Sequence, residues 1–320
     1  MFKRFSAELK IIRIRTKAII RQGGLFEYLR VLSHVPYFKL ARYLWSTHRH
    51  YKQEKMIMGS RMLLDTARSH VEFNLLNWGC HEPLFTHVML QEIKEGMTIV
   101  GIGANIGYYA LLESRLVGKT GKVYAIEPAP DNIKWLKENI ALNNYSNIET
   151  YQMAVGNKNG TAKLYLSESP NLHNLLGIEG KSGENNNYVD IIDVETVTLD
   201  EFLKNKRLPD IVRMDVEGYE YNIIKGMKKT LNENKKMMVF MEIHHDPMKQ
   251  AGFNIEGMFE TFYRAGFTPR YLIKRRLQFP WQNPYKETPD IQVIRDNLTL
   301  EKLMEDIEVI GGIMMVKDGS

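Results

Sequence analysis

The stretch IVGIGANIGYYALL, residues 99–112, places three glycines between two apolar runs. A β-rich run that ends in glycines and continues into a helical pattern is typical of the first turn of a parallel α/β sheet. Glycine lets the backbone turn sharply there and come close to a ligand at the carboxyl end of the strand. The stretch therefore predicts a ligand site at the edge of such a sheet.

The chain around this stretch alternates short β-rich runs with helical ones, which favours parallel βαβ units. The pattern predicts an α/β fold with a doubly wound, mostly parallel, seven-stranded sheet. Its predicted strands are Thr98–Ile102, Lys122–Ile126, Ile148–Ala154, Ile211–Asp215, Met237–Ile243, Arg270–Ile273 and Ile313–Lys317. Its predicted helices are Tyr108–Leu116, Asn132–Leu142 behind an Asp131 cap, Tyr219–Leu231 and Glu256–Ala265. A polar segment, residues 170–188, is predicted to be a surface loop on the ligand side.

The composition is that of an ordinary globular protein, with 320 residues, 44% apolar and 25% charged. The one cysteine, Cys80, cannot form an internal disulfide, so a reducing cytoplasm is the expected location. No run approaches the roughly 18 uncharged apolar residues that span a bilayer, and charges interrupt the N-terminal segment. We therefore expect a protein that is neither secreted nor transmembrane.

The basic charge is concentrated in residues 1–55, which hold 13 Lys or Arg against 3 acids, whereas the remainder holds 30 against 35. Apolar residues at helical spacing between Phe2 and Ile19 predict a basic amphipathic helix. Such a helix could lie on the anionic inner face of a membrane, contact nucleic acid, or pack on its own domain. We divide the chain into a basic helical N-terminal extension, residues 1–60, and a main domain, residues 61–320.

The residues around the glycine turn distinguish between nucleotide ligands. A dinucleotide fingerprint reads GxGxxG, but here the third glycine comes one residue late, at Gly107. Glu127 ends the second strand, where a carboxylate can bind both hydroxyls of a ribose. Asp215 and Glu217 follow the fourth strand, and they would repel a diphosphate but attract a sulfonium cation. The charges therefore favour S-adenosylmethionine over NAD.

The linked motifs GANIGYY, AIEP and MDVEGYE, with VTLDEFL and FMEIH, resemble the FkbM family of S-adenosylmethionine-dependent methyltransferases over about residues 76–245. The resemblance implies a class I methyltransferase fold, which is Rossmann-like, and O-methylation of hydroxyls of sugars, glycolipids or polyketide-type metabolites. It places Gly103, Ala104, Asn105 and Gly107 beside the methionine half of the cofactor. It also places Glu127 on the ribose, and Met153 and Ala154 beside the adenine.

One residue departs from the family pattern, because Gly101 stands where the family usually has Asp. That carboxylate normally helps to position the charged amino end of the cofactor, and Glu82 is our hypothesis for its replacement. The cofactor-binding residues that we predict are Glu82, Gly101, Gly103, Ala104, Asn105, Gly107, Tyr108, Glu127, Met153, Ala154 and Asp215.

A hydroxyl acceptor needs a base, which typically adds about 10²- to 10⁴-fold to the rate. We predict Asp215, Glu217 and His244 as catalytic residues, with Glu242 and His173 as further candidates for the base. Each has a simpler alternative, since Asp215 could position the cofactor, Glu217 could cap a helix and His244 could be a loop histidine. The carboxylates and histidines have no compact ligand spacing, so no metal site is predicted.

Three function classes follow from these residues. The first is an O-methyltransferase for a hydroxyl of a sugar, glycan or glycolipid, kept near an anionic membrane surface by residues 1–55. The second is a nucleic-acid methyltransferase, which is disfavoured because the DVEGYE motif lacks the Asn/Asp-Pro-Pro-aromatic turn of enzymes that methylate base amino groups. The third is a noncatalytic binding protein with a degenerate methyltransferase fold, suggested by Gly101.

Overall fold

A computed structural model describes residues 52–65, 68–177, 188–274, 284–285, 290–294 and 298–319. The chain from Lys52 onward forms one compact unit. The amphipathic helix predicted near the N-terminus lies outside the described residues. The domain boundary predicted at residue 60 falls within a hairpin of two strands that begins at Lys52, and the division of the chain into domains stays a prediction.

Strands and helices alternate along much of the chain. The strands are β1 (Lys52–Ile57), β2 (Ser60–Asp65), β3 (Thr98–Ile102), β4 (Lys122–Ile126), β5 (Ile148–Tyr151), β6 (Ala154–Val155), β7 (Gly160–Ser167), β8 (Tyr188–Val197), β9 (Ile211–Met214), β10 (Met237–Glu242), β11 (Thr268–Lys274), β12 (Ile291–Val293) and β13 (Ile310–Lys317). The helices are α1 (His70–Trp78), α2 (Pro83–Glu92), α3 (Tyr108–Val117), α4 (Pro130–Ala141), α5 (Leu199–Phe202), α6 (Glu220–Lys225), α7 (Lys228–Glu233), α8 (His245–Gln250), α9 (Ile255–Arg264) and α10 (Leu300–Asp306).

The central sheet has the strand order β12-β11-β13-β10-β9-β3-β4-β5. The pairs from β10 through β9, β3 and β4 to β5 are parallel, whereas β13 pairs antiparallel with β10 and β11. The strand order reverses beside β3, and in open α/β sheets ligands bind at such a switch point, outside the carboxyl ends of the strands. The predicted doubly wound α/β fold is confirmed, with the short β12 added as an eighth strand.

The core consists of two apolar layers, one on each face of this sheet. Residues of β3 alternate between the layers, with Val100 and Ile102 on one face and Ile99 on the other. Every residue of β3 is buried, as expected for a central parallel strand that is covered on both faces. The carboxyl end of β3 is therefore held rigidly where the glycine turn begins.

The structure corrects several predicted elements. The strand predicted over Ile148–Ala154 ends at Tyr151, because the chain then leaves the central sheet and β6 joins β8 and β7 in a separate one. Asp131 does not cap α4, since the helix begins one residue earlier at Pro130, a residue suited to the first turn. The helix predicted over Tyr219–Leu231 is broken into α6 and α7 at Gly226.

Within the described residues, no helix combines the length and the apolar character needed to cross a bilayer.

Candidate active site

The glycine turn after β3 is in close contact with the ends of the neighbouring strands, β4 and β9. Gly103 has a φ of +78°, and a Cβ placed on it would lie 1.9 Å from the backbone oxygen of Asp215. The Gly103 amide donates to the carbonyl of Ile126 at the end of β4 (3.0 Å). Gly107 has a φ of +100°, and a Cβ there would lie 2.7 Å from Leu136 of α4. Both positions therefore require glycine, and the turn fixes the ends of β4 and β9 at one edge.

Glu127 lies at the same edge, directly after β4, with its carboxylate buried. Its Oε2 accepts a hydrogen bond from the backbone amide of Asn105 (2.8 Å), and its Oε1 accepts one from the amide of Ala129 (3.0 Å). Burial raises the pKa of Glu127, and these hydrogen bonds oppose the rise. The side chain is thus locked in one rotamer against the glycine turn, ready to accept from a ligand hydroxyl.

A cavity with an empty volume of about 630 Å³, part of it open to solvent, lies in front of this carboxylate. We call it the Glu127 cavity. The predicted cofactor residues that line it are Gly103, Asn105, Glu127, Met153, Ala154 and Asp215. Carboxylate, backbone amide and apolar groups together suit the hydroxyls and the flat ring of an adenosine.

A second cavity, which we call the His244 cavity, adjoins the first. The predicted residues that line it are Glu82, Gly103, Ala104, Asn105, Tyr108, Asp215, Glu217 and His244. Gly103, Asn105, Asp215 and Glu217 line both cavities, together with Asn171 from the loop after β7. The two cavities therefore meet at the glycine turn and the carboxyl end of β9. Gly101 and Gly107 line neither cavity.

His244 lies at the centre of a cluster of carboxylates at the second cavity. Its Nδ1 lies 2.7 Å from Oε1 of Glu220, a carboxylate that is fully buried. Its Nε2 lies 3.4 Å from Oε2 of Glu217, 3.9 Å from Glu242 and 4.0 Å from Asp215. Glu220 therefore fixes the orientation of the ring, and the second ring nitrogen faces the carboxylates of the cavity.

The carboxylates of the His244 cavity compete for protons. Burial and the nearby Asp215 carboxylate raise the pKa of Glu82 to about 7. Burial is also the main reason that the pKa of Glu217 is raised to about 7, against the opposing effect of His244. Burial and Glu82 raise the pKa of Glu242 well above its ordinary value. The described residues lining this cavity include no Lys or Arg, so a cation entering it would be stabilised.

The proton affinity of His244 follows from the same charges. Burial alone would lower the pKa of His244, but Glu217, Glu242 and Glu220 outweigh it and raise that pKa well above the ordinary value. The surrounding carboxylates therefore favour the protonated form of the imidazole. A cation bound beside Asp215 would repel the positive charge of a protonated imidazole. It would thus lower the pKa of His244 and favour the neutral ring.

Backbone strain is concentrated at this cavity. Among described residues other than glycine, five have a positive φ, and three of these line the His244 cavity: Glu82 at +44°, Asn105 at +50° and Glu217 at +52°. Left-handed backbone costs about 1–3 kcal/mol for a residue with a side chain and is typical of functional sites. Glu82 immediately precedes α2, and its side chain does not cap the helix but accepts a hydrogen bond from the Tyr109 hydroxyl (3.0 Å).

The structure separates His173 from the other candidate bases. His173 lies in the Glu127 cavity, and its Nδ1 accepts a hydrogen bond from the backbone amide of Ser167 (2.9 Å). Burial lowers the pKa of His173 to about 4. Its ring is therefore neutral with the proton on Nε2, so it can donate a hydrogen bond but does not take up a proton at neutral pH.

A metal ion would find three ligand atoms here. One ligand atom each of Asp215, Glu242 and His244 lie within 4.8 Å of one another. The sequence analysis predicted that the chain has no metal site, and the absence of a metal site stays a prediction.

Among the residues of the site that sequence reasoning missed are Tyr109 and Glu220. Glu220 belongs to the DVEGYE motif, three residues after Glu217, but nothing in the sequence pairs it with His244. Tyr109 follows Tyr108 at the start of α3, and which of the two rings would reach Glu82 depends on the helix rotation. Tyr109 lies in the motif GANIGYY and Glu220 in the motif MDVEGYE. Membership of these motifs was the only signal in the sequence that pointed to the two residues.

Known proteins are similar to this chain in sequence and in structure. The model of the Methyltransferase FkbM domain matches residues 101–269, just over half of the 320 residues. The hexuronic acid methyltransferase AglP of Haloferax volcanii is 27% identical over 49% of this chain and 60% of its own. A protein-L-isoaspartate O-methyltransferase of Methanococcoides burtonii is 41% identical over 18% of this chain and 29% of its own. The chain thus spans less than two thirds of either relative.

A solved structure of the FkbM methyltransferase from Methylobacillus flagellatus is 14% identical and superposes with a TM-score of 0.38 over 69% of this chain and 52% of that one. The family match covers the glycine turn, Glu127, the DVEGYE motif and His244, which line the two cavities, whereas Glu82 lies before the matched residues. The chain belongs to the FkbM methyltransferase family, whose enzymes take the methyl group from S-adenosylmethionine.

Proposed function

We propose that this protein is an O-methyltransferase that transfers the methyl group of S-adenosylmethionine to a hydroxyl of a sugar, glycan or glycolipid. The observation that carries the proposal is the common wall of the two cavities, formed by Gly103, Asn105, Asn171, Asp215 and Glu217. One cavity can hold the donor and the other the acceptor, with the reacting groups brought together at that wall.

The residues present fit S-adenosylmethionine better than a dinucleotide. The Glu127 carboxylate faces the cavity that suits an adenosine, and the adjoining wall carries Asp215 and Glu217. Two carboxylates at that wall oppose a diphosphate and stabilise a cation. When bound, S-adenosylmethionine would supply a methyl group on a positively charged sulfur.

The base that we propose is His244. Glu220 orients the ring through Nδ1, which leaves Nε2 to take the proton of an acceptor hydroxyl in the His244 cavity. A buried carboxylate behind a histidine fixes its tautomer and stabilises the imidazolium that forms, as in other acid–base pairs. We propose that Asp215 and Glu217 stabilise the positively charged sulfur of the cofactor at the common wall. The proton of the acceptor hydroxyl goes to His244 and not to these carboxylates.

The acceptor that we propose is uncharged at its reacting end. AglP is named for a hexuronic acid, and this likeness supports a carbohydrate substrate for the present chain. The His244 cavity, however, is lined by Glu82, Asp215, Glu217 and Glu242, which already compete for protons, so the carboxylate of a uronate would add to their mutual repulsion. A neutral hydroxyl meets no such repulsion. A phosphate-rich nucleic acid would also be repelled at this entrance.

A labelled-methyl assay tests the proposal. The full chain is incubated with methyl-labelled S-adenosylmethionine and, in parallel, with neutral glycans, uronate-containing glycans or RNA. We expect label in the neutral glycans, and we expect excess S-adenosylhomocysteine to suppress it. Preferential labelling of RNA or of uronate would contradict the proposed acceptor, and a lack of transfer to every acceptor despite cofactor binding would support the noncatalytic alternative.

Replacement of Glu127 tests the ribose contact. Gln in Glu127→Gln keeps the shape of the side chain, but its amide group cannot accept hydrogen bonds from both Asn105 and Ala129. Loss of a charge-assisted hydrogen bond costs about 1.5–3 kcal/mol, so the Kd for S-adenosylmethionine should rise about 10- to 100-fold. Calorimetric titration measures the change, and an unaltered Kd in a folded variant would remove Glu127 from the site.

Glu82 is tested by Glu82→Gln, with Glu95→Gln on the exposed surface as the matched control. We propose that Glu82 binds the amino end of the cofactor in place of the missing carboxylate at residue 101. At pH 8 the variant should bind S-adenosylmethionine at least about tenfold more weakly, because one charge-assisted hydrogen bond is lost. The control should bind normally, and an unchanged affinity in Glu82→Gln would disprove this role.

A further inference from the structure

The loop that follows β7 contributes to the common wall of the two cavities. The sequence predicted a polar surface loop over residues 170–188, and its described part begins with a short 3₁₀ helix, Pro170–Leu172. Asn171, the middle residue of this helix, lines both the Glu127 cavity and the His244 cavity. Asn105, the other amide side chain of the wall, belongs to the glycine turn, which we predict to lie beside the cofactor. Asn171 instead comes from outside the central sheet, where an acceptor is free to approach.

Hydrogen bonds hold this loop in place. Tyr165 of β7 and Asn174 exchange two backbone hydrogen bonds, of 2.9 and 3.2 Å. The carbonyl of Pro170 accepts a hydrogen bond from Nδ2 of Asn132, a residue of α4 (3.1 Å). The loop is thus tied to β7 on one side of the short helix and to α4 at its first residue. Asn171 lies between these two anchors and is presented to the cavities in a fixed position.

The side chain of Asn171 has a hydrogen-bond donor to offer. Its Oδ1 accepts a hydrogen bond from the hydroxyl of Ser169 (2.7 Å), which fixes the orientation of the amide group. Its Nδ2 makes no hydrogen bond with the described residues, and the residue is only half-buried, so a ligand in the cavities can approach that nitrogen. An amide nitrogen only donates, and its charge does not change with pH as the charges of the neighbouring carboxylates do.

Such a donor has few alternatives in the His244 cavity. The four carboxylates that line this cavity are acceptors when they are ionised. The Tyr109 hydroxyl already donates to Glu82 (3.0 Å), and the Tyr108 hydroxyl is bonded to the hydroxyl of Thr86 (2.9 Å). An acceptor molecule whose oxygen atoms need a donor in this cavity would therefore find one in Asn171.

We propose that Asn171 selects the hydroxyl that is methylated, by donating a hydrogen bond from Nδ2 to the oxygen on the neighbouring carbon of the acceptor. The reacting oxygen gives its proton to Nε2 of His244 and forms its bond to the methyl group as the bond between that group and sulfur breaks. Asn171 meanwhile holds the second oxygen and takes no part in the proton transfer. The acceptor class is thus a neutral compound with vicinal hydroxyls, such as a sugar, and not an isolated alcohol. This role rests on the proposed function.

Asn171→Ala removes the donor without adding a charge. With the neutral glycans of the labelled-methyl assay, KM should rise about 3- to 10-fold, the usual effect of one hydrogen bond. Mass spectrometry of the product should find the methyl group at more than one position, whereas wild type should give a single position. The Kd for S-adenosylmethionine should stay within about threefold of wild type.

The comparison of KM with that Kd separates acceptor binding from a structural role. If Asn171 only held the loop against the Glu127 cavity, the Kd for S-adenosylmethionine would rise together with KM, and that result would overturn the proposal. The matched control is Asn232→Ala on the exposed surface of α7, a residue that lines neither cavity. It should leave KM, the Kd and the position of the methyl group unchanged.

Deoxygenated acceptors identify the group that Asn171 binds. The probes are the methyl glycosides of glucose, galactose and mannose, and the monodeoxy forms of the glycoside that wild type labels fastest. One monodeoxy form that keeps the reacting hydroxyl should lower kcat/KM of wild type by about 3- to 10-fold but cause no further loss in Asn171→Ala, because the hydrogen bond is already absent there.

The outcomes distinguish this role from the proposed function. Losses that add in full for every monodeoxy form, or an Asn171→Ala variant with the KM and the single product of wild type, would overturn the role of Asn171 alone. If wild type labels neither these glycosides nor the neutral glycans although it binds S-adenosylmethionine, the proposed function fails, and the role of Asn171 fails with it.

Discussion

Gly103→Ala should abolish cofactor binding. The added methyl group would lie 1.9 Å from the backbone oxygen of Asp215, a contact that only a shift of the strand ends can relieve. That overlap adds to the cost of about 1–2 kcal/mol for a left-handed residue with a side chain. Because Gly103 and Asp215 form part of both cavities, we expect the Kd for S-adenosylmethionine to rise at least ~100-fold, about 2.7 kcal/mol.

The matched control is Gly252→Ala. Gly252 also has a left-handed φ, +70°, but a Cβ placed on it would meet no atom of the described residues within 4 Å. It should therefore show only the conformational cost, a fall in Tm of about 2–8 °C, with normal cofactor affinity. Differential scanning calorimetry and cofactor titration compare the two variants. Equal losses of Tm and normal binding in both would contradict the close approach of β3 and β9.

His244→Asn should reduce kcat for methyl transfer by about 10²- to 10⁴-fold, the usual contribution of a positioned base. The Asn amide nitrogen can replace Nδ1 as the donor to Glu220, but nothing replaces Nε2. Cofactor affinity should change little, because the predicted contacts of the cofactor with Glu127 remain. Single-turnover assays with labelled donor and a neutral glycan measure the effect.

The pH dependence of the same reaction follows from the charges around His244. Burial lowers the pKa of His244, but Glu217, Glu242 and Glu220 outweigh it and raise that pKa well above its ordinary value, which favours the protonated ring that cannot accept a proton. The wild-type rate should therefore increase as the pH rises above 7, and His244→Asn should lose that increase. A rate that falls over this range would contradict the assignment of His244 as the base.

His173→Gln serves as the control for the choice of histidine. The Ser167 amide already occupies Nδ1 of His173, and its pKa is lowered to about 4, so its replacement should alter kcat by less than about tenfold. A large loss in His173→Gln together with a small loss in His244→Asn would reverse the two roles.

The sequence predicted the scaffold of the site well, because that scaffold depends on local patterns. The buried strands Thr98–Ile102 and Lys122–Ile126 have the predicted bounds, since each is a short β-rich run that ends at a turn signal. Parallel strands bring their carboxyl ends to one edge, so placing Glu127 and Asp215 together needed no knowledge of packing.

The remaining errors depend on contacts between distant residues. The predicted helix is interrupted at Gly226, where the chain lies so close to Gly156 that a Cβ would come within 1.9 Å of its backbone oxygen, a contact that no local pattern reveals. The pairing of Glu220 with His244 is likewise set by the approach of α6 to the end of β10. The approach of the Arg213 side chain from β9 to Gly101 also depends on packing between distant residues, and the predicted contact of Gly101 with the cofactor stays a prediction.

The central claim is that the sheet edge beside the glycine turn is negatively charged and selects a sulfonium over a diphosphate. Isothermal titration of the full chain with S-adenosylmethionine and, separately, with NAD tests it most directly. We predict saturable binding of S-adenosylmethionine to a single site and no saturable heat with NAD. Binding of NAD in preference to S-adenosylmethionine, or of neither ligand, would contradict the account.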